Sequence, residues 1–268
     1  MKRITAFLCS VLLLALLLVP CAFAEAGTDE AEKNVLVLDS LRYVAHNIQV
    51  SYPRGEVRIC PAVLEQEDGA KDVYFVTVRS LDRVSKGPNN LLGALLLFFN
   101  KDCQYFRLTK KAIQEYVPAG SAIVIAGHSM GGMVVQRIIC DDALTETYEF
   151  LNAVTFGSPC VVTDKAKREG RLVRFEDAGD IIPKFSLARL IAPSYYEDAI
   201  KIDCGYSDLD VSHNWSYYGS EEWAAYDVLG VENGSAVLKL DMNRMVALAF
   251  RMTGYFERRP VGMPETEV

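Results

Sequence analysis

Histidine is scarce in this chain: there are three, at positions 46, 128 and 213. No Cys-x-x-Cys pair occurs. Zinc sites draw on those two residue types at close spacing, so no metal is expected, and nothing points to an organic cofactor. Basic runs are missing as well. Acidic residues number 35 against 28 basic ones, for a formal net charge of −7. Nucleic acids and anionic membrane surfaces need clustered Lys and Arg, so neither is expected as a main partner. There is no internal repeat and no low-complexity linker.

Long apolar runs are confined to the start. Lys2 and Arg3 precede an apolar stretch, Ile4 to Val19, and Ala22-Phe23-Ala24 forms an A-x-A site. That is a secretory signal, with cleavage expected after Ala24. The stretch is shorter than the roughly 20 residues a spanning helix needs. The alternative is a membrane anchor, through an uncleaved signal or a lipidated Cys21. Residues 25–268 are then expected to form one α/β domain, since half of the residues are apolar. Five cysteines follow the signal: Cys60, Cys103, Cys140, Cys160 and Cys204. The odd number leaves at least one outside any intrachain disulfide, and no pairing can be assigned.

Val35 to Val50 can be helix or strand. Val57 to Gln66 and Asp72 to Arg79 are rich in β-branched and aromatic residues and flank Glu67-Asp68-Gly69-Ala70, so they predict a hairpin. Leu91 to Phe99 is an apolar run between two asparagines. Leu108 to Val117 predicts a helix ending at Pro118. Ser121 to Ala126 predicts a buried strand, Gly132 to Leu144 a helix, Phe150 to Phe156 a strand and Leu172 to Glu176 another. This alternation predicts a mostly parallel sheet with helices on both faces, the α/β-hydrolase architecture. Leu238 to Tyr255 predicts a closing helix, and Pro260 to Val268 a loose tail.

Gly127-His128-Ser129-Met130-Gly131 is a G-x-S-x-G match. Its chemistry needs a sharp strand-to-helix turn that presents the serine oxygen. Ala122 to Ala126 supplies the strand and Met133 to Ile139 the helix. No lysine follows the glycines, which excludes a phosphate-cradling P-loop. The helix N-terminus aims amide donors at the site and favours a developing anion. Serine needs a base, and in this fold the order is serine, acid, histidine. His213 is the one histidine after Ser129, so elimination selects it. The acid lies between them at a strand's end, where Asp180 and Asp177 both qualify and position favours Asp180 only weakly.

Four segments carry a family resemblance. Gly127 to Gly132 resembles the G-H-S-L-G-G elbow of the class 3 (fungal-type) lipases, with Met130 for leucine. Thr155-Phe156-Gly157-Ser158-Pro159 is similar to that family's T-F-G-x-P. Arg174 to Pro183, RFEDAGDIIP, is similar to R-V-V-N-x-x-D-x-V-P, which places the triad acid on Asp180. His213 to Gly219 is like H-x-S-Y-F-G with one extra residue. The matches span roughly Val73 to Gly219. The resemblance implies a carboxylic ester hydrolase acting on acylglycerols, with Ser129, Asp180 and His213 as triad, and the signal segment adds that it is secreted. Short-chain, phospholipid or cell-wall acyl esters are the alternative, and a non-catalytic lipid-binding protein the third possibility.

The family's F-R-G-T/S oxyanion segment stands here as Val78-Arg79-Ser80-Leu81. The amide of Leu81 is expected to serve the oxyanion with that of Met130. The segment after Leu81 is where the family carries a lid. Residues 89–99 therefore suggest a lipid-contacting lid or acyl flap, or else a buried helix.

Overall fold

The computed structural model describes residues 34–49, 55–80, 87–161, 165–168, 170–186 and 199–258. The signal segment, Leu81 and the tail from Pro260 lie outside these. Residues Asn34–Val268 form one unit.

Both readings of residues 35–50 are realised in turn. Strand β1 (Val35–Leu38) leads into helix α1 (Leu41–Gln49). The predicted hairpin is present as β2 (Val57–Gln66) and β3 (Gly69–Val78), antiparallel from Val57↔Val78 to Gln66↔Gly69. Helix α2 (Leu91–Phe98) is capped by the Asn90 side chain and precedes α3 (Gln104–Tyr116). Then come β4 (Ala122–His128), α4 (Met130–Ile138), α5 (Asp142–Thr145) and β5 (Glu149–Phe156). Helix α4 stops short of the expected Leu144. Asp141 accepts from the Leu144 amide and starts α5 instead, the usual N-cap preference of aspartate. The chain continues through α6 (Lys165–Arg168), β6 (Leu172–Asp177), β7 (Ile200–Ile202) and, after a π-helical turn at Val211–Trp215, α7 (Ser216–Gly219).

Residues 238–255 are not the closing helix that their Leu, Met and Ala content predicts. They form β8 (Val237–Asp241), β9 (Val246–Arg251) and β10 (Gly254–Arg258). Intrinsic helix propensity is a weak prior. Here β8 and β9 both find hydrogen-bonding partners on β2. In β8 the alternate residues Leu238 and Leu240 are buried while their neighbours are not, a period of two.

The sheet order is β1-β8-β2-β3-β4-β5-β6-β7, with β9 also on β2 and β10 on β9. From β3 to β7 every neighbouring pair is parallel. Strand β4 is buried throughout. Ile123 and Ile125 join the core beneath α3 and α4. Ala122, Val124 and Ala126 join the opposite core with α1, Tyr217 and Trp223. Full burial of each large aliphatic side chain stabilises by about 1.5–3 kcal/mol. The sheet is mixed rather than mostly parallel: β3 to β7 run parallel, whereas β1, β8, β9 and β10 join antiparallel around β2. It is covered on both faces, as the expected α/β-hydrolase architecture requires, and β3 to β7 present their C-termini at the end where β4 stops.

Candidate active site

Strand β4 ends at His128 and α4 begins at Met130, so Ser129 alone makes the turn. Its backbone sits at φ 54°, ψ −121°. A residue with a Cβ there costs of order 1–3 kcal/mol and persists only where its surroundings fix it. The Ser129 N–H donates to the Phe156 carbonyl at 2.9 Å. Close packing does the rest. A Cβ on Gly127 would lie 2.7 Å from the Gly131 carbonyl, and one on Gly131 would overlap the carbonyl oxygens of Val78 and Arg79. The tight elbow thus needs both glycines.

Ser129 and His213 are each 7% exposed. The Ser129 Oγ lies 2.9 Å from His213 Nε2. His213 Nδ1 lies 2.8 Å from Asp180 Oδ2. A carboxylate accepts, so Nδ1 carries the proton and Nε2 is left to accept from the serine hydroxyl. The other Asp180 oxygen accepts from the Ile182 N–H at 2.9 Å. Asp177 is placed differently: its Oδ1 takes the Gly179 amide at 3.0 Å and the Cys204 amide at 3.4 Å. It shapes the turn after β6 and does not reach the imidazole.

Tyr217 was not singled out by the sequence. Fully buried, it donates its hydroxyl to Asp180 Oδ2 at 2.8 Å and accepts from the Asp177 N–H at 2.9 Å. It lies one helical turn after His213, the spacing that could have marked it. His128 does point away from the serine. Its Nδ1 accepts from the Gln49 side-chain amide, and its Nε2 donates to the His213 carbonyl at 2.7 Å. Burial holds it well below the usual histidine range, and the charges of His213 and Arg79 push the same way. His128 is therefore neutral. The thiols of Cys60 and Cys204 are pushed up to about 12, mainly by burial, so neither competes as a nucleophile at neutral pH.

A cleft of about 360 Å³ opens on Ser129, lined also by Ser80, Ala94, Met133, Ile182 and His213. Met130 lines it too. As the first residue of α4, Met130 has an amide without an intrahelical acceptor. Leu81, the expected second donor, lies outside the described residues. Helix α2 stands beside this cleft, but it is not the buried helix: Leu91, Leu92 and Leu95 are 76%, 66% and 51% exposed. Only Gly93 and Leu97 are buried. Among the described residues no group of His, Cys, Asp and Glu could hold a metal ion.

Residues 74–190 match the family model described as lipase (class 3). That segment holds β4, Ser129 and Asp180 and ends before His213. No curated protein sequence matches the chain. Among solved structures, the chain is similar to a Rhizomucor miehei lipase propeptide complex, with 15% identity, 60% of this chain and 62% of that one covered, and a TM-score of 0.27. It is also similar to the Lip2 lipase from Yarrowia lipolytica, with 15% identity, coverage of 57% and 63%, and a TM-score of 0.26. The chain thus spans less than two thirds of either protein.

Proposed function

We propose, on the premise that this chain belongs to the class 3 lipase family through residues 74–190, that it is a secreted esterase-lipase. Its substrates are carboxylic esters, acylglycerols foremost. One observation carries this: the unbroken hydrogen-bonded chain from Ser129 Oγ through His213 to Asp180. Ser129 Oγ attacks the ester carbonyl as His213 Nε2 takes its proton. Asp180 stabilises the imidazolium and keeps its orientation. The Met130 amide, at the positive end of α4, meets the oxyanion. His213 then hands the proton to the leaving alcohol, which departs and leaves an acyl-enzyme. Water, activated by the same imidazole, releases the acid.

The exposed leucines of α2 offer an apolar face beside the cleft. In this proposal they rest on the lipid phase that holds the substrate. Export rests on the leader at residues 1–24 alone. A narrower substrate range is favoured by the cleft itself: about 360 Å³ lies near the lower end of ligand pockets, which suits short acyl chains. A panel of esters of rising chain length separates the two, since a sharp fall beyond short chains leaves only the short-chain esterase.

The test of the reaction is labelling by an alkyl fluorophosphonate. Wild-type protein should incorporate one equivalent, and Ser129→Ala, equally folded, none. Labelling that survives in Ser129→Ala sinks the assignment. Undiminished ester turnover in that variant would do the same.

A further inference from the structure

We propose that the side-chain hydroxyl of Ser80 is the second donor to the oxyanion. This rests on the Ser129 reading above and concerns a residue standing where the resembling family has glycine. Three observations place it. First, β3 and β4 are parallel with Val78 opposite Gly127. Ser80 and Ser129 each follow that pair by two residues, just past the ends of adjacent strands at the same end of the sheet. Second, the first turn of α4 rests directly on this segment, since any Cβ on Gly131 meets the Val78 and Arg79 carbonyls. The residue that follows Arg79 therefore leaves the sheet beside the N-terminus of α4. Third, Ser80 lines the same cleft as Ser129, Met130 and His213.

The segment is also held still. Tyr105 donates to the Arg79 carbonyl at 2.9 Å, and the Arg79 amide donates to the Glu56 carbonyl at 2.9 Å. The buried Asn89 donates its side-chain amide to the Ser80 carbonyl at 3.3 Å. The main chain on both sides of the Ser80 side chain is thus committed. Fixed donors that need no reorganisation are what oxyanion stabilisation requires. A serine at a strand end most often faces water; this one is half-buried and lines the cleft that opens on Ser129. The hydroxyl donates to the carbonyl oxygen as the bond from Ser129 Oγ forms and negative charge moves onto that oxygen. No proton is transferred by Ser80.

The experiment compares Ser80→Ala, Ser80→Gly and Ser80→Thr with wild type on 4-nitrophenyl butyrate. Loss of one such donor lowers kcat by about 10²–10³. Ser80→Ala and Ser80→Gly should show that fall with KM within about threefold, and Ser80→Thr should recover most of it. Butylboronic acid, which forms a tetrahedral anion on the serine, should bind the two hydroxyl-less variants more weakly in parallel with kcat. Thermal melts establish that each variant is folded. A kcat within threefold of wild type in either Ser80→Ala or Ser80→Gly, with Ser129→Ala inactive, overturns the Ser80 role and leaves the triad standing. So does a Ser80→Thr protein that is folded yet as slow as Ser80→Ala. Turnover in Ser129→Ala overturns the triad instead, and the Ser80 role falls with it.

Discussion

His128 Nε2 donates to the main-chain carbonyl of His213 at 2.7 Å. The histidine next to Ser129 in sequence thereby holds the backbone of the histidine that faces Ser129. Its tautomer is set from the other side, because Gln49 donates to Nδ1. An imidazole so placed can keep both bonds only while neutral.

That has a consequence for stability against pH. His128 lies well below its usual range in the folded chain, first through burial and then through His213 and Arg79. His46 is lowered too, by burial and by Arg42 and Arg58. In the unfolded chain both take up protons below about pH 6.5, while folded His128 does not. The unfolded state then binds more protons, so stability falls as pH drops below about 6.5. The limiting slope for one histidine is about 1.4 kcal/mol per pH unit. Urea melts between pH 7.5 and 5 should show this fall, and His128→Gln should flatten it. A His128→Gln protein with an unchanged slope would exclude His128 as the cause.

Asp180 and Asp177 are separated by their partners. Asp180 touches His213, while Asp177 accepts two loop amides. Asp180→Asn should lower kcat by about 10⁴, as loss of the carboxylate leaves the wrong imidazole tautomer. Asp177→Asn should cost stability, about 1–3 kcal/mol, and leave kcat within tenfold. Steady-state kinetics with paired melts distinguishes the two, and the reverse ranking would move the acid to Asp177.

Leu91, Leu92 and Leu95 lie exposed on α2. Replacing all three by serine should leave hydrolysis of a dissolved short ester within about threefold. The rate on emulsified tributyrin should fall at least tenfold, since each buried leucine side chain is worth about 1.5–3 kcal/mol of transfer. Equal losses on both substrates would tie α2 to the cleft rather than to the lipid phase.

Gly131→Ala tests the packing of the elbow. The added carbon has no room against the Val78 and Arg79 carbonyls, which are backbone atoms that cannot swing aside. A loss of at least about 3 kcal/mol is expected, the upper range for overpacking, read from chemical denaturation. A neutral outcome would mean that α4 can slide off β3.

The buried strands and the elbow were legible in sequence because their signals are local. Apolar runs of strand length end at glycine, and a serine between glycines needs its strand before and its helix after. Ser129 and His213 could be named because only one histidine follows the serine, whereas RFEDAGDIIP offers both Asp177 and Asp180 and only the family resemblance pointed to Asp180. Tertiary structure alone decided what depends on partners far along the chain. Residues 237–258 carry helix-forming side chains, yet they are strands because β2 offers them hydrogen bonds. The exposure of α2 is invisible in a uniformly apolar run, since no period distinguishes its faces. Tyr217 meets Asp180 across 37 residues of chain, and His128 meets the His213 carbonyl across 85. Ser80 and Ser129 come to line one cleft only because β3 pairs with β4, Val78 opposite Gly127. Sequence sets what each segment can form; contact between distant segments sets which groups share one small volume and at what distances.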